Sequence, residues 1–254
     1  MTIRNSTGLA VLAFGFGLCP SLLAVSYTWN FTGSAGSNCI GASCLASEAG
    51  NSIVFAAGPS GGPTVKASAW YINGGGTFQK ATLGQYSHGL GICYPGENCT
   101  NPDHQVDNST LDEFVLLEFS APVDPASVDI TSTSSGGLDV SYWLGGTAGQ
   151  NLNLTGSLTS SLAGLGFGLI NDNPTALTGS RTVDLTGGVP AGTVNAILFG
   201  GKLGDNNDFF KVGGMAGSTA TAVPEPSSVI LLCTVTLLGL RFSRRAKRSR
   251  EITG

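Results

Sequence analysis

Thr64-Val65-Lys66-Ala67-Ser68-Ala69-Trp70-Tyr71-Ile72, then Asn73-Gly74-Gly75-Gly76, then Thr77-Phe78-Gln79-Lys80-Ala81-Thr82-Leu83 is a strand, a turn and a strand. The flanking runs carry β-branched and aromatic residues, and the Asn-Gly cluster supplies the positive-φ positions that a tight hairpin needs. The same pattern recurs outward from this hairpin. It predicts strands at Tyr27 to Phe31, Ile53 to Ala57, Thr64 to Ile72, Thr77 to Leu83, Glu113 to Phe119, Val128 to Thr133, Leu138 to Leu144, Leu152 to Leu158, Arg181 to Leu185, Val194 to Phe199 and Phe209 to Val212. Eleven short strands separated by Gly, Pro and Asn turns predict an all-β fold, an antiparallel β-sandwich of jelly-roll type. No period of 20 to 50 residues points to a solenoid.

Composition agrees. Of the 254 residues, 38 are Gly and 41% are hydrophobic, too apolar for a disordered chain and too Gly-rich for a helical bundle. Between residues 25 and 223 there are five cations (Lys66, Lys80, Arg181, Lys202, Lys211) and fourteen acids, a net charge of −9. Such a body repels phosphate backbones, so no nucleic-acid partner is expected.

The first 26 residues read as an export signal. Met1 to Thr7 carries one cation and no acid, Leu9 to Cys19 is apolar, and Ala24 and Ser26 are the small residues that signal peptidase inspects. Cleavage is expected after Ser26, with Ala24 as the second choice. Cys19 falls in the signal and Cys233 in a later apolar run, which leaves Cys39, Cys44, Cys93 and Cys99 in the exported body. An even number of cysteines in an oxidising compartment predicts disulfides. Three pairings exist; the turn residues bracketed by each close pair favour Cys39 with Cys44 and Cys93 with Cys99. A four-thiolate zinc site is the rival, with spacings looser than such sites use.

The other end combines three chemistries. Val223-Pro224-Glu225-Pro226 is an extended, exposed tetrapeptide whose two prolines fix φ and remove two donors. Val229 to Leu240 is apolar or nearly so; Ser227 to Ser243, seventeen residues, spans about 25 Å as a helix against a hydrocarbon core of about 30 Å. Arg241, Arg244, Arg245, Lys247, Arg248 and Arg250 then form a basic end that obeys the positive-inside rule. A single C-terminal transmembrane helix is expected, body outside and tail inside. Residues 27–213 are thus the β-sandwich ectodomain, 214–223 a Gly/Ala/Thr-rich linker, and 224–254 the helix-bearing tail.

The order of these three parts resembles the PEP-CTERM sorting signal of Gram-negative bacteria, the substrate of exosortase, a membrane cysteine transpeptidase. Gly89-Leu90-Gly91-Ile92-Cys93, His104-Gln105-Val106-Asp107-Asn108, Asp112 to Val123 and Gly204 to Val212 are similar to segments of exosortase-dependent surface proteins. The resemblance implies signal peptidase and exosortase as processing partners, cleavage near Pro224 to Pro226, and delivery to the cell surface or an exopolysaccharide matrix. It names no activity.

No enzyme motif survives inspection. Gly58-Pro59-Ser60-Gly61-Gly62 has the letters of a nucleophile elbow, but Pro63-Thr64-Val65 follows where a helix is required. His88 and His104 lie among turn formers, and Gly164-Leu165-Gly166-Phe167-Gly168 lacks the spacing and the strand–helix alternation of a dinucleotide fold. No cofactor is expected beyond a candidate structural Ca²⁺, for which Asp107, Asp112, Asp205, Asn207 and Asp208 offer hard oxygen donors on loops. The expected function is that of a non-catalytic, exosortase-processed surface or matrix protein. The alternative is a polysaccharide-binding module that uses Trp70, Tyr71, Tyr86, Tyr142 or Trp143.

Overall fold

A computed structural model describes residues 23–34, 50–97, 104–146, 151–187 and 192–221. The protein is all-β and antiparallel. Its strands are β1 (Leu23–Asn30), β2 (Ser52–Phe55), β3 (Val65–Ile72), β4 (Phe78–Lys80), β5 (Thr82–Tyr86), β6 (Gly89–Cys93) and β7 (Val106–Asp107). They continue with β8 (Glu113–Thr131), β9 (Val140–Gly145), β10 (Asn171–Asn173), β11 (Ser180–Asp184), β12 (Val194–Gly201) and β13 (Phe209–Thr221). The body Ala24–Ala220 is one compact unit.

The expected hairpin forms. Trp70, Tyr71 and Ile72 pair with Lys80, Gln79 and Phe78. Asn73 closes the turn: its side-chain oxygen accepts from Gly75 N, Thr77 N and Thr77 Oγ1 at 3.0–3.1 Å, while Gly76 takes φ +77°. A side-chain acceptor that satisfies three local donors makes this turn self-sufficient.

β8 organises the rest. Residues 113–119 lie between β12 and β3 (Leu117 pairs with both Ile197 and Ala67), so this half is buried on both faces. Val115, Leu117 and Phe119 enter the main core; Phe114 and Leu116 enter a second cluster with Trp70, Phe78, Trp143 and Leu198. Residues 124–131 pair instead with β13, and 127–131 also with β11, with alternating burial. Pro122 and Pro125, which cannot donate to a ladder, sit where the pairing changes hands. Two strands were expected here, at Glu113 to Phe119 and Val128 to Thr133; one strand runs through both because the prolines fall where few ladder donors are needed.

Other boundaries also differ. The expected strand Thr77 to Leu83 divides into β4 and the start of β5. Leu152 to Leu158 is not a strand: Leu154 packs into the second cluster with Leu162 and Phe167, and a 3-10 helix (Thr159–Leu165) follows, so this segment covers the outer face of the sheet. The expected linker is strand as far as Thr221, since small residues let β13 continue between its neighbours: Gly214, Gly217 and Ser218 pair with Asp129, Pro125 and Asp124. The hairpin of β5 and β6, and the short strands β7 and β10, carry too much Gly, Asn and Asp to be recognised from pattern alone.

Candidate functional site

The four segments that carry the family resemblance converge. β13 pairs with β6 through Val212 and Leu90 and with β7 through Phe209–Asp107 and Phe210–Val106, and Glu113 at the start of β8 accepts from Asp107 N. At this junction the fold buries Gln105, Asp107, Asn108, Glu113, Asp208 and Lys211, each at most 4% exposed.

One half of the junction is a hydrogen-bonded lock. Asn108 Nδ2 donates to Asp208 Oδ2 at 2.8 Å and to the Lys202 carbonyl at 2.9 Å, and Asp208 N donates back to Asn108 Oδ1 at 2.9 Å. Asp139 N donates to Asp208 Oδ1 at 2.8 Å. Burial raises the Asp208 carboxyl above its ordinary range, while these donors pull it back.

The other half holds opposite charges apart. Glu113 Oε2 accepts from Asp107 N at 3.1 Å, and Glu113 Oε1 has no hydrogen-bond partner among the described residues. Burial pushes the Glu113 carboxyl well up, and the acids Glu97 and Asp107 push it further, against the Asp107 amide and Lys211. Lys211 Nζ donates to the His104 carbonyl at 2.6 Å and lies 3.9 Å from the centre of the Tyr86 ring. Burial lowers the Lys211 ammonium to about 7, with Glu113 opposing the fall. Gly91 makes the close approach possible: a Cβ there would overlap the His104 carbonyl oxygen. A fourth buried carboxylate, Glu118, accepts from Leu152 N at 2.7 Å and pairs with Lys66 at 3.4 Å, which fastens the outer cover to β8.

The two segments proposed to supply Ca²⁺ ligands therefore do meet, through Asn108 and Asp208. Their carboxylates serve protein donors: Asp107 Oδ1 accepts from Ser109 N and Oγ, and Asp205 Oδ1 accepts from Asn206 N. Asp112 is half-buried before β8, with burial raising its carboxyl, and Asn207 is exposed. Among the described residues no group of three or more His, Cys, Asp or Glu side chains is arranged to hold a metal ion. Cys93 is buried and disulfide-bonded; it is the only cysteine among the described residues, so its partner lies outside them, as do Cys39, Cys44 and Cys99.

Of the aromatic candidates, Trp70 (1% exposed), Trp143 (4%) and Tyr142 (7%) are core residues whose faces meet other side chains. Tyr71 and Tyr86 are half-buried; Tyr71 lies 5.4 Å from the Tyr94 ring, and Tyr86 lies 4.3 Å from the His104 ring at a 33° tilt. Ser60 lies in the turn between β2 and β3, with no helix after it, and His88 occupies the turn between β5 and β6. Val223, Pro224, Glu225, Pro226 and the basic residues Arg241, Arg244, Arg245, Lys247, Arg248 and Arg250 lie outside the described residues. No helix among the described residues is long and apolar enough to cross a membrane, and Ser227 to Ser243 lie outside them. Sequence reasoning missed Glu118 and Lys211. The available signal was a charge inside an otherwise apolar strand, as in Phe209-Phe210-Lys211-Val212.

Comparison with protein-family models, curated proteins and solved structures finds no match to this chain.

Proposed function

We propose that the chain is an exported protein, trimmed by an exosortase at its C-terminal sorting signal, that delivers a non-catalytic structural β domain to the cell surface or extracellular matrix. The observation that carries this reading is the order of Val223-Pro224-Glu225-Pro226, an apolar helix-length run and six cations, behind a signal-type N-terminus. The buried junction supports a structural role, because its polar groups face one another and the core rather than solvent. The two pairing environments of β8, with the main core formed by residues from both, support a β-sandwich of jelly-roll type.

Mass spectrometry of the protein from its native host, fractionated into membrane and medium, tests the reading. Loss of everything beyond Pro226 is the expected result. An intact Arg-rich end confined to the inner membrane overturns it and leaves a plain single-pass anchor.

A further inference from the structure

We propose that Asn30 and Asn153 are acceptor sites for an N-linked oligosaccharide, and that the fold closes Asn108, which has the same local sequence pattern, to that modification. The sugar donor is met outside the cytoplasm, so the proposal rests on the export reading above and adds a modification to it.

An Asn amide is an acceptor when Ser or Thr stands two residues on, when the residue between is not Pro, and when the side chain lies on an accessible surface. Three such triplets fall among the described residues: Asn30-Phe31-Thr32, Asn108-Ser109-Thr110 and Asn153-Leu154-Thr155. Asn173-Pro174-Thr175 has the spacing and is ruled out by its proline. Asn5-Ser6-Thr7 and Asn98-Cys99-Thr100 lie outside the described residues.

Burial divides the three triplets. Phe31 is fully buried and pins its triplet to the core, while Asn30 and Thr32 stand exposed on either side of it. Leu154 is fully buried in the second cluster, with Asn153 and Thr155 exposed in the same way. The remaining triplet is inverted: Asn108 is 4% exposed, and Ser109 and Thr110 face solvent.

Hydrogen bonding divides them along the same line. Asn30 Oδ1 accepts from Thr32 N at 2.9 Å and from Thr32 Oγ1 at 2.8 Å, and Asn153 Oδ1 accepts from Thr155 N at 3.2 Å. At both positions the oxygen is engaged, and Nδ2, the atom that takes the sugar, has no hydrogen-bond partner among the described residues. At Asn108 the nitrogen itself is held, donating to Asp208 Oδ2 and to the Lys202 carbonyl. A sugar on that nitrogen would displace both bonds and break open the buried junction.

The transfer balances with a polyprenyl pyrophosphate-linked oligosaccharide as donor. Nδ2 attacks the anomeric carbon of the first sugar and a C–N bond forms. The C–O bond to pyrophosphate breaks, its electron pair leaves on the lipid pyrophosphate, and one amide proton passes to a base of the transferase.

Two measurements test this. In the native host, mass spectrometry of the processed chain is expected to show one oligosaccharide on the peptide containing Asn30, one on the peptide containing Asn153, and none on that containing Asn108. Unmodified Asn30 and Asn153 in chains whose leader has been removed overturn the proposal. In vitro, the full chain in detergent micelles is offered a polyprenyl pyrophosphate-linked oligosaccharide and a single-subunit oligosaccharyltransferase that reads the three-residue pattern. Two sugars are expected; Asn30→Gln and Asn153→Gln each remove one. Thr32→Ala, at an exposed position, is expected to cut occupancy of Asn30 at least about tenfold, and Thr32→Ser to restore it. Absence of transfer to Asn30 and Asn153, or transfer to Asn108 as complete as to Asn30, overturns the proposal. A native chain that keeps Met1 to Ser26 overturns the export reading instead, and the in vitro result then decides the acceptor assignment by itself.

Discussion

Replacing Lys211 with Met should stabilise the protein near neutral pH and flatten its stability above it. Lys211 is 2% exposed, with one carbonyl acceptor and a ring face in place of water, and its ammonium is lowered from 10.5 to about 7. Between those values the unfolded chain holds a proton that the folded chain has released, so stability rises with pH. At about 1.4 kcal/mol per pH unit, this single group adds about 3 kcal/mol between pH 7 and pH 9.5. Met keeps the length and the apolar contacts, loses the titration, and forfeits about 1 kcal/mol for the hydrogen bond to the His104 carbonyl. Urea unfolding of the processed protein, followed through the buried Trp29, Trp70 and Trp143, measures both profiles. The wild type should gain about 3 kcal/mol over that interval relative to the variant. Parallel profiles would refute the argument, and with it the claim that burial governs Lys211.

Glu113 titrates in the opposite sense. Its folded carboxyl is raised well above 4.5, so its stabilising contribution is full below that value and is lost as pH rises through the folded value. Glu113→Gln should remove that share of the loss in a urea series run upward from pH 4. Asn108→Ala strands the Asp208 amide and the Lys202 carbonyl in a buried site and should cost about 3 kcal/mol, against about 0.5 kcal/mol or less for the exposed Asn207→Ala, measured by the same unfolding assay. Gly91→Ala drives a methyl group into the His104 carbonyl and should cost about 3 kcal/mol or more, whereas Gly74→Ala, with nothing within 4 Å, should be nearly neutral; thermal melting compares the pair.

The candidate site was legible as segments and not as a site. Asp107, Asn108, Asp208 and the Glu113 strand stood out in the sequence as acidic clusters on loops and as family-like runs, which suggested donors for a cation. Their hydrogen-bond partners lie about 100 residues away, as with Asn108 on Asp208 and Lys211 on His104, and no local pattern encodes such distances. The aromatic candidates divided in the same way: Trp70 and Tyr71 are neighbours in one strand, yet one is buried in the second cluster and the other is half-buried beside Tyr94.

The sequence by itself determined the all-β class and the β3–β4 hairpin, because period-2 alternation and a self-satisfied Asn-Gly turn are local properties. It also set most strand centres, since burial of alternate residues leaves its mark within five or six positions. Only the tertiary structure decided that Glu113 to Thr131 is one strand serving two sets of neighbours, that Leu152 to Leu158 is a cover and that residues 214–221 are strand. In each case the deciding quantity was where ladder donors and apolar faces find partners far along the chain. Gly, Pro and Ser tolerate several backbone states, so their own identities do not choose among them.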